Sequence, residues 1–539
     1  MKRVASCIAL ALVVASAGGA AAASTYWATG VKVVLPANAA TGTDQVVSLS
    51  SVSCASAGNC SAVGSYRNKA GRPEGLLVTE KGGRWAPGIE AVLPANGVTQ
   101  QDVYLNSVSC ASAGNCTAVG SYYDTRGSEG LLLTETAGTW APGVEAALPA
   151  TATATDQYAS LASVSCASAG NCSAVGGYHD SSGAGALLLT ESAGTWQTGV
   201  EATLPANAST TAPSAGLTSV SCSSAGNCTA VGSYLDSSGN GPGLLLTETS
   251  GTWGTGVEAT LPANAAATQQ FVGLSSVSCS SAGNCGAVGS YNTSVSNDAV
   301  LLRETGGSWS AGVKATLPAN GAPQDQIDLN AISCPSATSC TAVGDYVDRG
   351  GNIRGLMLSR SAGGWSKAVE AALPADADTT SPNQLGGLKS VSCASAGNCS
   401  AVGTYRDKKD TPQDLVLTET AGSWAAGVEA TVGQKASYGA GLTSVSCPTA
   451  QRCGAVGGFE QGRGDLFNSS ATRPCLVPKL RGKTLPAAKR SIKTAGCSVG
   501  TIQHAGSSKI ERGRVISQTP KPGTRLKHGA KVDLVVSRG

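Results

Sequence analysis

An all-β protein follows from three features of the 539-residue sequence: a unit of about 56 residues present eight times, one cysteine pair per unit, and eight tryptophans at matching intervals. The expected form is an eight-bladed β-propeller closed by an N-terminal strand and followed by a small α+β module. Composition agrees, since 70 Gly, 13% charged and 4% aromatic residues leave no surplus of helix formers.

The pairs are Cys54 with Cys60, Cys110 with Cys116, Cys166 with Cys172, Cys222 with Cys228, Cys279 with Cys285, Cys334 with Cys340, Cys393 with Cys399, and Cys447 with Cys453. Successive pairs lie 56, 56, 56, 57, 55, 59 and 54 residues apart. The copy from Leu105 to Ala150 reads as four short strands, LNSVSC, CTAVGSY, GLLLTET and TWAPGVEA, separated by Gly, Ser and Asp turns. Side chains grow from Ser, Ala and Gly in the first two strands to a Leu run and a Trp in the last two. That taper suits a radial blade, crowded near an axis and wide at its rim.

Trp27 precedes every cysteine pair, whereas Trp85, Trp140, Trp196, Trp253, Trp309, Trp365 and Trp424 each follow one and the eighth pair has none after it. The two ends therefore make one unit together. An N-terminal strand completing the last blade removes exposed sheet edges. The alternatives are seven blades with one displaced unit, two smaller rings, or a linear β-solenoid, whose ends carry atypical capping repeats instead of complementary fragments.

Each Cys-x5-Cys brackets a tight turn, so a disulfide would staple a hairpin, by about 2 kcal/mol in the chain-entropy account. Zinc is disfavoured: the spacer is long, no His lies near, and each unit supplies two ligands. No cofactor is expected. Asn59, Asn115, Asn171, Asn227 and Asn398 stand in N-C-[ST] sequences that match a glycosylation acceptor, but Asn after Gly in a turn is explained by its tolerance of left-handed backbone angles.

Residues 1–23 carry Lys2 and Arg3, an apolar stretch and small residues near Ala23, the layout of a signal peptide. Cys7 precedes the apolar core and so does not fit a lipidation site. The remaining 18 cysteines form an even set, as an oxidising compartment favours. The expected organisation is a signal peptide at 1–23, repeats at 24–470 and a module at 474–539.

Catalysis needs convergent groups that break the repeat. His179, His504 and His528 are the only histidines, and His179 takes a turn position where exposure is expected. Glu80, Glu135, Glu191, Glu248, Glu304 and Glu419 end the third strand, and Glu90, Glu145, Glu201, Glu258, Glu370 and Glu429 recur in the fourth. Glycosidases use carboxylate pairs, but pairs in nearly every unit read as a solvated surface pattern. Asp124, Asp180 and Asp236 read as turn residues. No catalytic residue is assigned.

Residues 474–539 hold 14 Lys or Arg against Glu511 and Asp533, a net of +12, whereas residues 4–473 hold 21 basic and 32 acidic residues, a net of −11. Thr484 is placed to cap a helix with Leu485, Ala488 and Ile492 on one face and Gly496 at its end. Strands are expected around Val499, over Val515 to Gln518 and over Val532 to Val536. Cys475 and Cys497 would tie the segment before the helix to the one after it.

VPKLRGKTLPAAKRSIKTAG and GRVISQTPKPGTRLKHGAKVDLVVSRG, with the Ile-Ser-Gln-x-Pro-x-Pro-Gly turn, closely resemble a PASTA domain, the module of penicillin-binding proteins and bacterial serine/threonine kinases. The resemblance implies a bacterial envelope protein with affinity for peptidoglycan or the wall; the cysteine pair is an addition to the commonest pattern. The repeats are more loosely similar to secreted bacterial propellers with cysteine-paired blades. The expected protein is secreted or wall-associated: the basic module engages peptidoglycan or an anionic wall polymer, and the repeats meet an unidentified protein or glycan. No nucleic-acid partner and no membrane span are expected. The alternatives are an exported propeller enzyme of glycosidase or lyase type and docking of the basic module on the acidic repeats.

Overall fold

The computed structural model describes residues 26–28, 30–97, 102–125, 127–152, 158–181, 183–322, 326–378, 386–431, 441–458, 464–470, 475–526 and 528–539. The signal peptide expected at 1–23, and Cys7 within it, lie outside the described residues. Among the described residues no helix is long and apolar enough to cross a membrane.

Eight five-stranded antiparallel sheets and one small α+β module make up the described chain. Units 1 to 7 occupy residues 47–90, 103–145, 158–201, 215–258, 272–314, 327–370 and 387–429. Unit 8 joins residues 442–470 to the N-terminal strands Tyr26–Trp27 and Val31–Lys32, which pair with Ser469–Ser470 and Asp465–Leu466. In unit 1 the first strand, Val47–Ser56, lies at one edge. The second, Asn59–Arg67, and third, Pro73–Lys81, follow, and Arg84–Trp85 and Ile89–Glu90 both pair with the third.

The expected fourth strand is thus two short pieces. Ala86 N continues the ladder to Thr79 O, but Gly88 N then leaves the sheet for Val34 O of unit 8, at 2.8 Å. The same step recurs from Gly143 to Val92, Gly199 to Ala147, Gly256 to Thr203, Gly312 to Thr260, Gly427 to Ala372 and Gly30 to Thr431. Glycine gives room for this step, since a Cβ on Gly88 would lie 2.7 Å from Leu76 Cδ1 and 3.3 Å from Val34 O. Where the unit has Ala368 instead, its N–H turns to the Thr316 hydroxyl at 3.2 Å.

Adjacent units are joined at their first strands by serine oxygens. Ser51 Oγ accepts from Val108 N at 3.2 Å and Ser53 Oγ from Cys110 N at 3.0 Å. The pattern recurs at successive units, including Ser444 to Val52 and Ser446 to Cys54, and its one gap is at Ala331, which has no hydroxyl. Thr443 Oγ1 also donates to Leu49 O at 2.6 Å, again between units 8 and 1. The first strand is a sheet edge whose outward N–H groups need partners, and the Ser-x-Ser-Cys sequence of the neighbour supplies them.

A second glycine sets how closely the first two strands approach. A Cβ on Gly120 would lie 1.9 Å from Tyr104 O, next to the register shift between Leu105 and Ser107. Gly64, Gly176, Gly232 and Gly289 repeat this contact. Apolar clusters then form across unit boundaries: Val63 and Leu77 of unit 1 pack with Leu105, Leu131, Leu133 and Trp140 of unit 2.

All nine expected cysteine pairs are joined in the structure, the eight hairpin pairs at six-residue separation and Cys475–Cys497 at 22. The asparagine after the turn glycine does more than tolerate a backbone angle. The left-handed residue is Gly58, at φ +75°, while Asn59 Nδ2 donates to Ser56 Oγ at 3.0 Å and Asn59 Oδ1 accepts from Gly82 N at 3.3 Å. Asn115, Asn171, Asn227 and Asn398 repeat the first contact. The asparagine therefore binds one turn to another.

The third-strand glutamates correct the surface reading. Glu80, Glu135, Glu191, Glu248, Glu304 and Glu419 are each at most 3% exposed. Alternation explains this, because Glu135 shares a strand face with the buried Leu131 and Leu133. That face meets unit 1, where Ser61 Oγ and Thr79 Oγ1 donate to Glu135 at 3.0 and 3.2 Å. Burial raises the carboxyl pKa of all six glutamates, and hydrogen-bond donors partly oppose it at Glu80, Glu135, Glu248 and Glu304.

Two outcomes follow. Gly120→Ala should lower repeat-region stability by about 3 kcal/mol in denaturant melts, whereas Gly216→Ala, which meets nothing within 4 Å, should change it by at most about 0.5 kcal/mol; equal effects would count against the close approach. A carboxyl pKa raised on folding means that the folded chain binds more protons than the unfolded chain above the ordinary value of 4.5. Stability should therefore fall as pH rises from about 5 to 7. A calorimetric pH series should show the repeat-region melting temperature highest near pH 5, with a shallower slope in Glu135→Gln; a rise toward pH 7 would contradict the buried-carboxyl account.

Candidate functional site

The repeats have two ends. At the cysteine end, the buried glutamate, the disulfide and the tryptophan meet the preceding or following unit. Between units 3 and 4 these groups line a cleft of about 700 Å³ that includes Glu191, Trp253 and Cys172. One oxygen each of Glu80, Glu191, Glu248, Glu304 and Glu419 is buried without a hydrogen-bond partner, which fits carboxyls that favour the protonated form. Trp140 Nε1 donates to Thr79 Oγ1 at 3.3 Å.

At the other end, the second glutamate set is tied to tyrosine and to the Leu-Pro-Ala-Asn connections. Tyr66 OH donates to Glu90 Oε2 at 3.0 Å and to Asn38 Oδ1 at 2.8 Å, and Asn38 Nδ2 donates to the same Glu90 oxygen at 2.7 Å. Equivalent bonds join Tyr122 with Glu145 and Asn96, Tyr234 with Glu258 and Asn207, and Tyr346 with Glu370 and Asn320. Burial first and the glutamate charge second hold Tyr66 well above the ordinary tyrosine range. These glutamates thus orient a tyrosine and anchor a connection.

The two glutamate sets sit on different levels of the sheet, one opposite Cys60 and the other opposite Leu76. Each set is engaged in contacts that recur from unit to unit, so neither stands out as the nonrepeating group that catalysis requires. His179 is exposed, within strand Asn171–Asp180 instead of a turn; His504 and His528 are exposed in the C-terminal module. Asp236 does build a turn, accepting from Asn240 Nδ2 at 2.9 Å and from Ser238 N and Asn240 N at 2.9 and 2.8 Å, and these bonds, that of the Asn240 side chain first, hold its carboxyl below the usual range. Among the described residues no three His, Cys, Asp or Glu side chains come together as a metal site.

The C-terminal module has its own core, in which Val477, Leu480, Ala488, Ile492, Val515 and Val532 are buried. Its helix runs over Leu485–Thr494. Thr484 stands at the N-cap, but its hydroxyl makes no cap bond; Pro486 and the Thr484 carbonyl, which accepts from Ala488 N at 2.9 Å, start the helix. Gly496, at φ +72°, ends it. Strands Ser498–Ala505, Val515–Thr519 and Lys531–Ser537 form one sheet, while Cys475–Leu476 pairs with Arg525–Leu526. Gln518 locks the Pro-rich turn to the entry strand, accepting from Leu480 N at 2.7 Å and donating to Pro478 O at 2.8 Å.

This core leaves cations outside. Lys479, Arg481, Lys483, Lys489, Arg490 and Lys493 are exposed on the helix and its approach, as are Lys509, Arg512, Lys521, Lys531 and Arg538. Arg514 is paired with Glu511 at 2.7 Å. The arrangement can attract an anionic polymer through many weak, salt-sensitive contacts.

The PASTA domain family model matches residues 476–538. A probable serine/threonine-protein kinase of Clostridium acetobutylicum is 41% identical over 71 residues, which cover 13% of this chain and 11% of that one. A probable serine/threonine-protein kinase of Lactococcus lactis is 40% identical over 63 residues, covering 12% and 10%. The chain thus spans about a tenth of the length of these curated relatives. Propeller structures resemble the repeats distantly. The Penicillium chrysogenum α-L-arabinanase gives a TM-score of 0.35 at 11% identity, covering 83% of this chain and 99% of the other. The six-bladed Aleuria aurantia lectin gives 0.31 at 10%, covering 74% and 100%. No argument rests on likenesses this slight. The family match, the module core and the Gln518 turn lead to one statement: residues 476–538 are a PASTA domain, standing after a β-rich repeat region with many cysteine pairs.

Proposed function

We propose that this chain is an exported cell-envelope binding protein, in which the PASTA domain tethers it to peptidoglycan or an anionic wall polymer and the repeats offer an interaction surface. The observation that carries the reading is the PASTA domain with its exposed cations, at net +12 over residues 474–539. Nine disulfides suit an oxidising location outside the cytoplasm. The organisation that accompanies it is a signal peptide over 1–23, one repeat domain over 24–470 and the module over 474–539.

The repeat domain is, in this reading, a single eight-bladed propeller closed by its N-terminal strands. Three kinds of contact between units 8 and 1 support closure: the Ser444 and Ser446 bonds to Val52 and Cys54, the Gly88 bond to Val34, and Asn468 Nδ2 donating to Glu80 Oε1 at 2.5 Å. Each has a counterpart between internal neighbours, which a linear solenoid gives no reason to expect. Closure leaves two faces for partners, lined by the cysteine turns and by the tyrosine-anchored connections.

An exported enzyme acting on a polysaccharide or peptide is the other reading, and it calls for a nonrepeating acidic or histidine group at one end. Buried third-strand charges outside the Glu80 series are of both signs, Glu129, Asp298 and Asp414 beside Arg354 and Arg360, and they are scattered over several units instead of gathered into one group.

Cosedimentation with purified insoluble peptidoglycan tests the tether. The full chain should pellet at low salt and in part at 150 mM, roughly the ionic strength at which screening acts over about 8 Å. A chain ending at Ser470 should stay in the supernatant. If both stay soluble at low salt, or both pellet alike, the tethering assignment fails.

A further inference from the structure

Six boundaries between units carry a buried glutamate, the unit 7/8 boundary has Ser469 in its place, and one boundary reverses the charge. At the unit 1/2 boundary, Ser61 and Thr79 of the earlier unit donate to Glu135 of the later one. Ser173 with Glu248, and Thr247 with Glu304, repeat the arrangement at 3.3 and 3.4 Å. Strand register places Gly286 and Arg303 of unit 5 where Ser61 and Thr79 stand, and Arg360 of unit 6 where Glu135 stands. An acid facing two hydroxyls is thus replaced by one guanidinium on each side of the boundary, with no hydroxyl from Gly286.

Arg360 is enclosed and Arg303 half-buried. Arg360 is 7% exposed, and its Nη1 donates to Ala337 O at 3.0 Å. Arg303 Nε is buried with no hydrogen-bond partner. Val288, Ala299 and Leu301 of unit 5 pack with Ile332, Leu356 and Trp365 of unit 6 around this boundary, so the low-dielectric surroundings are built from both units. Glu304, the residue next to Arg303, looks the other way and accepts from Thr247 of unit 4. Burial, and then the Arg303 charge, pull the Arg360 guanidinium below its ordinary value. A buried guanidinium beside a second, half-buried one is costly without a counter-ion, and paired guanidiniums match the geometry of an oxyanion.

We infer that the boundary between units 5 and 6 is a binding site for an oxyanion, a carboxylate or phosphate group, held between Arg303 and Arg360. The site gives the repeats a ligand chemistry of their own, independent of the PASTA domain and of whether the units close. A uronate carboxylate and a polymer phosphate share this chemistry.

The test is calorimetric titration of the full chain with sodium phosphate and, separately, sodium acetate, at ionic strength matched with chloride. Arg303→Thr/Arg360→Glu introduces the hydroxyl–carboxylate pairing seen between Thr79 and Glu135 and so provides a folded comparison; the single Arg303→Thr keeps the Arg360 bond to Ala337. The wild-type chain should bind phosphate or acetate, the better ligand marking the source. Both variants should bind it at least about tenfold more weakly, by loss of charge-assisted hydrogen bonds. In chloride buffer without phosphate or carboxylate the double variant should melt no lower than wild type. Equal binding by wild type and variants, as expected of ions collected by the PASTA cations, would overturn the site, as would no binding of either anion by wild type.

Discussion

The repeat region depends on how each sheet satisfies its first edge. That strand pairs on one side only, and its outward N–H groups are met by serine oxygens of the neighbouring unit at two positions per boundary, or at one where Ala331 stands. An unpaired buried N–H costs more than a hydrogen bond returns, so the serines fix the spacing and register of neighbouring sheets together. Everything else acts within that frame. The glycine at Gly120 and its counterparts allows the close approach, the disulfides hold the hairpin turns, and the Leu and Trp layers fill the space behind.

The number of units, the offset between cysteine and tryptophan landmarks and the helix of the PASTA domain could be read from the sequence because each leaves a periodic or local signal. The buried glutamates could not be read so readily, because Thr-Glu-Thr after a Leu run looks like a polar strand end. Counting by twos from Leu131 through Leu133 to Glu135 was the available clue. Serines in Ser-Val-Ser-Cys were legible as small residues but not as acceptors, since their partners lie some 57 positions away in another sheet. The same holds for Asn38, whose bonds to Tyr66 and Glu90 join a connection to a neighbouring sheet. The expected fourth strand broke at Gly88 because its N–H has a better-placed acceptor outside its own sheet.

Charge is divided between the two parts of the molecule in different ways. The PASTA domain carries exposed cations over a small core, an arrangement for weak, multiple contacts with a long anionic partner. The repeats bury their acids at successive boundaries and reverse the sign at one, where Arg303 and Arg360 replace hydroxyl and carboxylate. The proposed tether and the proposed oxyanion site would together combine retention at a surface with recognition of an acidic ligand.

The most direct measurement of the central claim compares two double substitutions in thermal melts of the full chain. Ser163→Ala/Ser165→Ala removes the serine acceptors between units 3 and 4, and Ser444→Ala/Ser446→Ala removes those between units 8 and 1. At about 1 kcal/mol per bond, the account predicts that both variants lose about 2 kcal/mol, because the last boundary is held as the internal ones are. A Ser444→Ala/Ser446→Ala protein that melts like wild type, beside a destabilised internal variant, would contradict it.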